Sequence, residues 1–274
     1  MSRGCIHLVG VVFVCVASGL CAAGCGRLRP YDHGVLGNSG RVALVTGANR
    51  GIGFEVAGQL GRLGYVPILA ARDRSLGEAA VGRLARAGIA AECVELNVTD
   101  QASVRAAAEE VDRRHGRLHA LVNNAAIAVD DARPSRLAVD AFRRTFETNV
   151  IGVFTVTTMM LPLLRAAGGS RIVNVSSGSA SLALTSSDWP DEWNAAAYPA
   201  SKTAVNALTV QFATELRPTG IKVNAVDPGY TLTDMSPGAT RTAAEAAAIV
   251  VRYATLGDDG PTGGFFNADG PVPW

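Results

Sequence analysis

From Arg41 onward the chain alternates between short apolar runs and longer segments of helical pattern, and no other feature constrains its fold as strongly. RVALVT, YVPILAA, AAECVEL, LHALVNN, SRIVNVSS and IKVNAV are the apolar runs, with GGFFNAD as a candidate seventh. Helical patterns fill the intervals at residues 51–63, 75–87, 101–115, 139–165 and 198–216, the last ending at Pro218 and Gly220. A run that is apolar at nearly every position is buried on both faces, as in a parallel sheet covered by helices on each side. Right-handed crossovers then leave one arrangement: an α/β fold with a doubly wound parallel sheet of about seven strands, in a single domain over residues 41–274. Ligands of such a sheet sit beyond the carboxyl ends of its strands.

The 274 residues are 48% hydrophobic and 18% charged, ample for one large buried core. A formal charge of +1 gives no footprint for nucleic acid. Four of the five cysteines (Cys5, Cys15, Cys21 and Cys25) fall in an apolar leader, residues 1–25, so Cys93 alone cannot build a disulfide framework in the body. A reducing compartment is expected. Three readings stand for the leader: a secretory or lipoprotein signal ending near Ala22-Ala23-Gly24-Cys25, a membrane anchor, or a start site assigned too far upstream. Membrane contact is expected only through that segment, and residues 26–40 read as a Gly- and Pro-containing linker.

The first apolar run ends in Thr46-Gly47-Ala48-Asn49-Arg50-Gly51-Ile52-Gly53. Glycines here let the backbone approach a pyrophosphate, and the following helix directs its N–H groups and positive dipole end at the phosphates. The spacing of Gly47, Gly51 and Gly53 is G-x-x-x-G-x-G, and a tight strand-to-helix connection is the alternative reading of such a turn. At the end of the second run Ala71 occupies the position where an acid would bind the ribose 2′-hydroxyl of NAD, and Arg72 follows. Arg72 with Arg50 suits a 2′-phosphate, which points to NADP(H); the alternative leaves Arg72 solvated and gives the ribose to Asp73.

Tyr198 and Lys202, in Y-P-A-S-K, stand four apart and share a helix face. An ammonium beside a phenol favours the phenolate and suits the tyrosine to proton exchange with an alcohol or alkoxide. Taken together and in order, TGANRGIG, NNAA (Asn123 to Ala126), Asn149, the Ser176-Ser177 pair, YPASK and DPGYTLTD (Asp227 to Asp234) resemble the short-chain dehydrogenase/reductase family, carbonyl-reductase-like group, over about Arg41 to Trp274. The resemblance implies a Rossmann fold with NADP(H) as cofactor and a small-molecule carbonyl or alcohol as substrate. It assigns Ser177 to the substrate oxygen, Tyr198 to acid/base work, Lys202 to the nicotinamide ribose and Asn149 to a relay water. Ser176 is structural. It places Asn97 and Val98 at the adenine and Asn124 along the cofactor. Pro228, Gly229, Thr231 and Thr233 fall on the loop at the nicotinamide amide and phosphates, and Asn49 and Ile52 lie in the glycine turn. Two departures stand out: Ala126 where glycine is usual, and Asn97 where aspartate is common.

The connection GSASLALTSSDWPDEWNAAA carries Trp189 and Trp193, which either line a pocket for a bulky apolar carbonyl or pin the loop to its own domain. Trp274 covers the site or caps the fold. A non-catalytic NADP-binding regulator on the same fold is the second functional reading, disfavoured by the intact Asn149, Ser177, Tyr198 and Lys202. No metal site is expected, a cytoplasmic location suits the cofactor, and the oligomeric state is left open.

Overall fold

The computed structural model describes residues 40–274 other than 131 and 188, and for Glu192 only the backbone. The leader and all but the last residue of the linker lie outside the described residues. Seven parallel strands form one sheet: β1 (Arg41–Thr46), β2 (Tyr65–Ala71), β3 (Glu92–Glu95), β4 (Ala120–Asn123), β5 (Arg171–Val175), β6 (Lys222–Val226) and β7 (Phe265–Phe266). Their order is β3-β2-β1-β4-β5-β6-β7, so the winding reverses between β1 and β4, the switch point at which a doubly wound sheet places its ligand crevice.

The period of two in the strands divides the core. Ala43 and Val45 face a layer built by α1 (Gly51–Arg62), α2 (Arg74–Arg86) and the final helix; Val42 and Leu44 face α3 (Gln101–His115) and further helices on the other side. That second layer is completed by α4 (Val139–Phe146), α5 (Gly152–Ala166) and α7 (Ala197–Leu216), with the one-turn α6 (Leu182–Thr185) in the connection before α7. The last helix, α8 (Ala243–Ala254), is absent from the sequence reading. It packs through Ile249, Val250 and Val251 in the first layer. Its start is nevertheless legible in the capping box Thr242-Ala-Ala-Glu245, followed by good helix formers.

The helix expected over 139–165 is not uniform. Residues Glu147–Ile151 form a π-helical turn between α4 and α5. Such a turn carries one extra residue and is a common way to re-aim a side chain at a functional site. At the β4–β5 register pair Asn123 and Asn174, a buried polar ladder crosses the sheet face. Asn123 Nδ2 donates to Thr157 Oγ1 at 3.0 Å and to Asn174 Oδ1 at 2.8 Å, and Asn174 Nδ2 donates to Thr209 Oγ1 at 2.8 Å.

Candidate active site

The crevice is bordered first by the turn between β1 and α1. Gly47 has φ of 63° and Gly51 of 58°, backbone that glycine adopts without strain. A Cβ on Gly53 would lie 2.5 Å from Asn124 Nδ2, so the helix can start here only if that residue has no side chain. Asn124 secures the turn: its Nδ2 donates to the Thr46 carbonyl at 2.8 Å, and its N–H donates to Thr46 Oγ1 at 2.9 Å. Asp73 caps α2, Asp100 caps α3 and Thr242 caps α8, whereas Arg50, at the same position of α1, makes no side-chain cap and no acid stands in the first turn. The donors at the start of α1 therefore remain available to a pyrophosphate, which fits a dinucleotide.

At the carboxyl end of β2, Arg72 is exposed, while Asp73 commits Oδ1 to Ser75 N–H at 2.8 Å and to Leu76 N–H at 3.2 Å. Arg50 forms an exposed ion pair with Asp234, from the loop after β6. Arg83, which the sequence did not single out, donates to the Asn49 carbonyl at 2.6 Å and lies 4.0 Å over the Phe54 ring. Asn97 Oδ1 accepts from Thr99 N–H and Oγ1, leaving its amide NH2 as the available edge. Val98 lies against Gly152, where a Cβ would approach within 3.0 Å. On the loop after β6, Gly229 has φ of 77°, Thr231 is buried and donates to the Gly229 carbonyl, and the Thr233 methyl reaches toward Gly51. No described residue other than glycine has positive φ, so Ala126 sits without backbone strain.

Ser177, Tyr198 and Lys202 converge at the ends of β5 and β6. Ser177 faces the phenol of Tyr198 closely enough to lower its pKa, while its Oγ accepts from Ser179 Oγ at 3.0 Å. Ser176 turns away and donates to Asn206 Oδ1 at 2.7 Å, as a structural residue should. Lys202 is buried, 5.6 Å from the Tyr198 ring centroid, and donates to the Val175 carbonyl at 2.7 Å. The phenol does not have the lowered pKa expected from its lysine. Burial pushes it up to about 12, Ser177 opposes that, and Asp227 adds to it. Burial also pushes Lys202 down to about 8, and its proton is directed at a backbone carbonyl rather than at the tyrosine. Among the protein's own groups, desolvation is thus the largest cause of both shifts.

Asp227 is a second residue whose place at the site the sequence did not reveal. Its Oδ1 accepts from Gly229 N–H at 2.9 Å, its carboxylate lies against Gly178, and burial raises its pKa. It ties the loop after β5 to the loop after β6. Asn149, on the π-helical turn, is fully buried and its side chain is engaged on every side. It accepts from Ile127 N–H at 2.9 Å and donates to the Ile127 carbonyl at 2.9 Å and to Ser201 Oγ at 3.0 Å. The expected role of holding a water therefore competes with three existing bonds. Trp189 meets Trp193 edge-on at 5.4 Å, and Trp193 meets Tyr230 at 5.7 Å, so the pair joins its loop to the loop after β6. Trp274 stacks on Phe265 and its carbonyl accepts from Ala183 N–H.

A doubly wound parallel sheet, a glycine turn opening an uncapped helix at its switch point, and a Ser–Tyr–Lys cluster beyond its strands define a dinucleotide-dependent oxidoreductase. The chain belongs to the short-chain dehydrogenase/reductase family: the short chain dehydrogenase family model matches residues 41–244. It is 35% identical over 225 residues to the short-chain dehydrogenase anuI of Penicillium roqueforti, covering 79% of this chain and 89% of that one. It is likewise 35% identical over 272 residues to carbonyl reductase (NADPH) 1 of Oryctolagus cuniculus, covering 82% and 95%. Among solved structures, NADPH-bound carbonyl reductase from chicken fatty liver is similar with a TM-score of 0.76 at 29% identity, over 86% of this chain and all of that one.

Proposed function

We infer that the protein uses NADPH to reduce an aldehyde, ketone or quinone-like carbonyl to an alcohol, or runs the reverse oxidation. The proximity of the Ser177 and Tyr198 hydroxyls carries this reading, because two hydroxyls facing one point can hold and protonate a substrate oxygen there. Bound along the crevice, the cofactor supplies a hydride to the carbonyl carbon. Tyr198 Oη then gives its proton to the oxygen that gains the negative charge, while Ser177 Oγ holds that oxygen. A phenol with a pKa near 12 is a proton donor at neutral pH, which favours the reducing direction. Lys202 and the first turn of α1 orient the ribose and phosphates.

NADP(H) over NAD(H) is supported by the exposed Arg72 and by the commitment of Asp73 to the cap of α2. The NADPH named for the rabbit and chicken relatives points the same way. The cytoplasm, where NADPH is kept reduced, is the compartment this chemistry suits. The test is NADPH consumption with a panel of carbonyls, wild type beside Tyr198→Phe. Turnover that falls at least about a hundredfold in the variant, with NADPH still bound, is the expected outcome. NADPH binding without turnover of any carbonyl or alcohol by wild type would favour a non-catalytic regulator.

A further inference from the structure

Helix α7 begins without a cap of its own. Ala196 stands at the N-cap position and offers no side-chain acceptor, so the first N–H groups of the helix need an oxygen from elsewhere. That oxygen comes from 68 residues upstream. Asp130, in the connection between β4 and α4, accepts from Ala196 N–H at 3.0 Å and Ala197 N–H at 2.7 Å through Oδ1, and from Tyr198 N–H at 2.9 Å through Oδ2. A serine at position 196 would cap the helix locally; a distant carboxylate also fixes where the helix sits.

The opposite side of the tyrosine backbone is held as well. The Tyr198 carbonyl accepts from Ser201 Oγ at 2.7 Å, and Ser201 Oγ accepts from Asn149 Nδ2 at 3.0 Å. Asn149 in turn grips both the N–H and the carbonyl of Ile127, three residues before Asp130. The bonds therefore close a ring: Asp130, Tyr198, Ser201, Asn149, Ile127 and back along the chain to Asp130. Arg133, three residues further on, forms a bidentate ion pair with Asp191 in the loop that leads into α7, at 2.7 Å for the longer bond. One short segment thus holds both the tyrosine and the loop before it.

We propose that Asp130 is a positioning residue for the reaction, closing a hydrogen-bonded ring that fixes Tyr198 through its main chain. The proposal rests on the reductase reading above. It gives Asp130 no contact with substrate or cofactor. Because the ring acts on backbone, it sets the position of the phenol oxygen while leaving the cofactor crevice between β1 and β4 untouched.

The test compares full-length Asp130→Asn and Asp130→Ala with wild type, using NADPH and a carbonyl that wild type reduces. Asparagine keeps one oxygen for Ala196 and Ala197 but presents an NH2 to the Tyr198 N–H, so it cuts the ring and spares the helix cap. We expect kcat to fall about tenfold in Asp130→Asn and about a hundredfold in Asp130→Ala, the scale of a small misplacement of a reacting group. KM for NADPH stays within about twofold and the thermal midpoint within about 5 °C. Unchanged kcat in both variants overturns the proposal, as does a loss of kcat that appears only with an equal loss of NADPH affinity. Hydrogen exchange at the Tyr198 amide gives a reading independent of turnover: about tenfold faster exchange in Asp130→Asn supports the ring, and unchanged exchange refutes it. If wild type reduces no carbonyl, the reductase reading fails, and the exchange result alone decides whether Asp130 fixes the tyrosine.

Discussion

Replacing Lys202 with methionine should make the protein more stable at neutral pH while removing its activity. Lys202 is 3% exposed, its one recorded hydrogen bond goes to the Val175 carbonyl, and burial lowers its pKa from 10.5 to about 8. A depression of that size means that holding the buried ammonium costs about 3 kcal/mol at pH 7. The unfolded chain binds this proton more tightly, so the penalty shrinks as pH rises from 8 toward 10.5. By pH 9.5 wild type should have regained about 2 kcal/mol from this group. Methionine has nearly the same length, removes the penalty, and leaves the Val175 carbonyl unpaired at a cost of about 1 kcal/mol. The expected net gain at pH 7 is therefore about 2 kcal/mol. Cys93 and Tyr198, whose pKa values are raised by burial, oppose the rise above pH 9 and pH 10 respectively, so the informative quantity is the difference between the two proteins. Urea midpoints without cofactor at pH 7 and 9.5 measure it. A variant that keeps the wild-type pH slope, or that is less stable than wild type at pH 7, would refute the reasoning.

Two further outcomes follow from the crevice. Arg72→Ala should weaken NADPH by at least about tenfold and NADH by less than twofold, on the scale of a lost charge-assisted hydrogen bond; equal losses in fluorescence titrations would count against a 2′-phosphate role. Asp227→Asn removes one of the groups that raise the Tyr198 pKa, so the pH profile of alcohol oxidation should move toward lower pH. An unmoved profile would show that Asp227 serves only to join the two loops.

The sheet and the order of the motifs were legible because each depends on local residue choice. Strands buried on both faces are written as unbroken apolar runs, and a glycine that must admit Asn124 is written as glycine. Helix α8 escaped although its capping box and its apolar stripe were both present in the sequence. The π-helical turn escaped because one extra residue within a continuous helical pattern leaves no periodic trace. What was least legible is what the chain builds from distant parts. YPASK suggests a lysine acting on a phenol, yet the pKa of each is governed by how deeply the fold buries it. Nothing adjacent to Tyr198 reveals that Asp130 holds its N–H, and nothing near Asn149 reveals that its amide is already committed to Ile127 and Ser201.

The ladder through Asn123, Asn174, Thr157 and Thr209 bears on how tolerant this scaffold is of change above it. A one-residue slip already turns every buried side chain to the wrong face, and the Asn123–Asn174 pair with its helix partners Thr157 and Thr209 adds polar groups that would lose their partners in any other alignment. Loops that differ in length or chemistry can then be exchanged at the upper rim without loosening the floor on which the reacting groups stand.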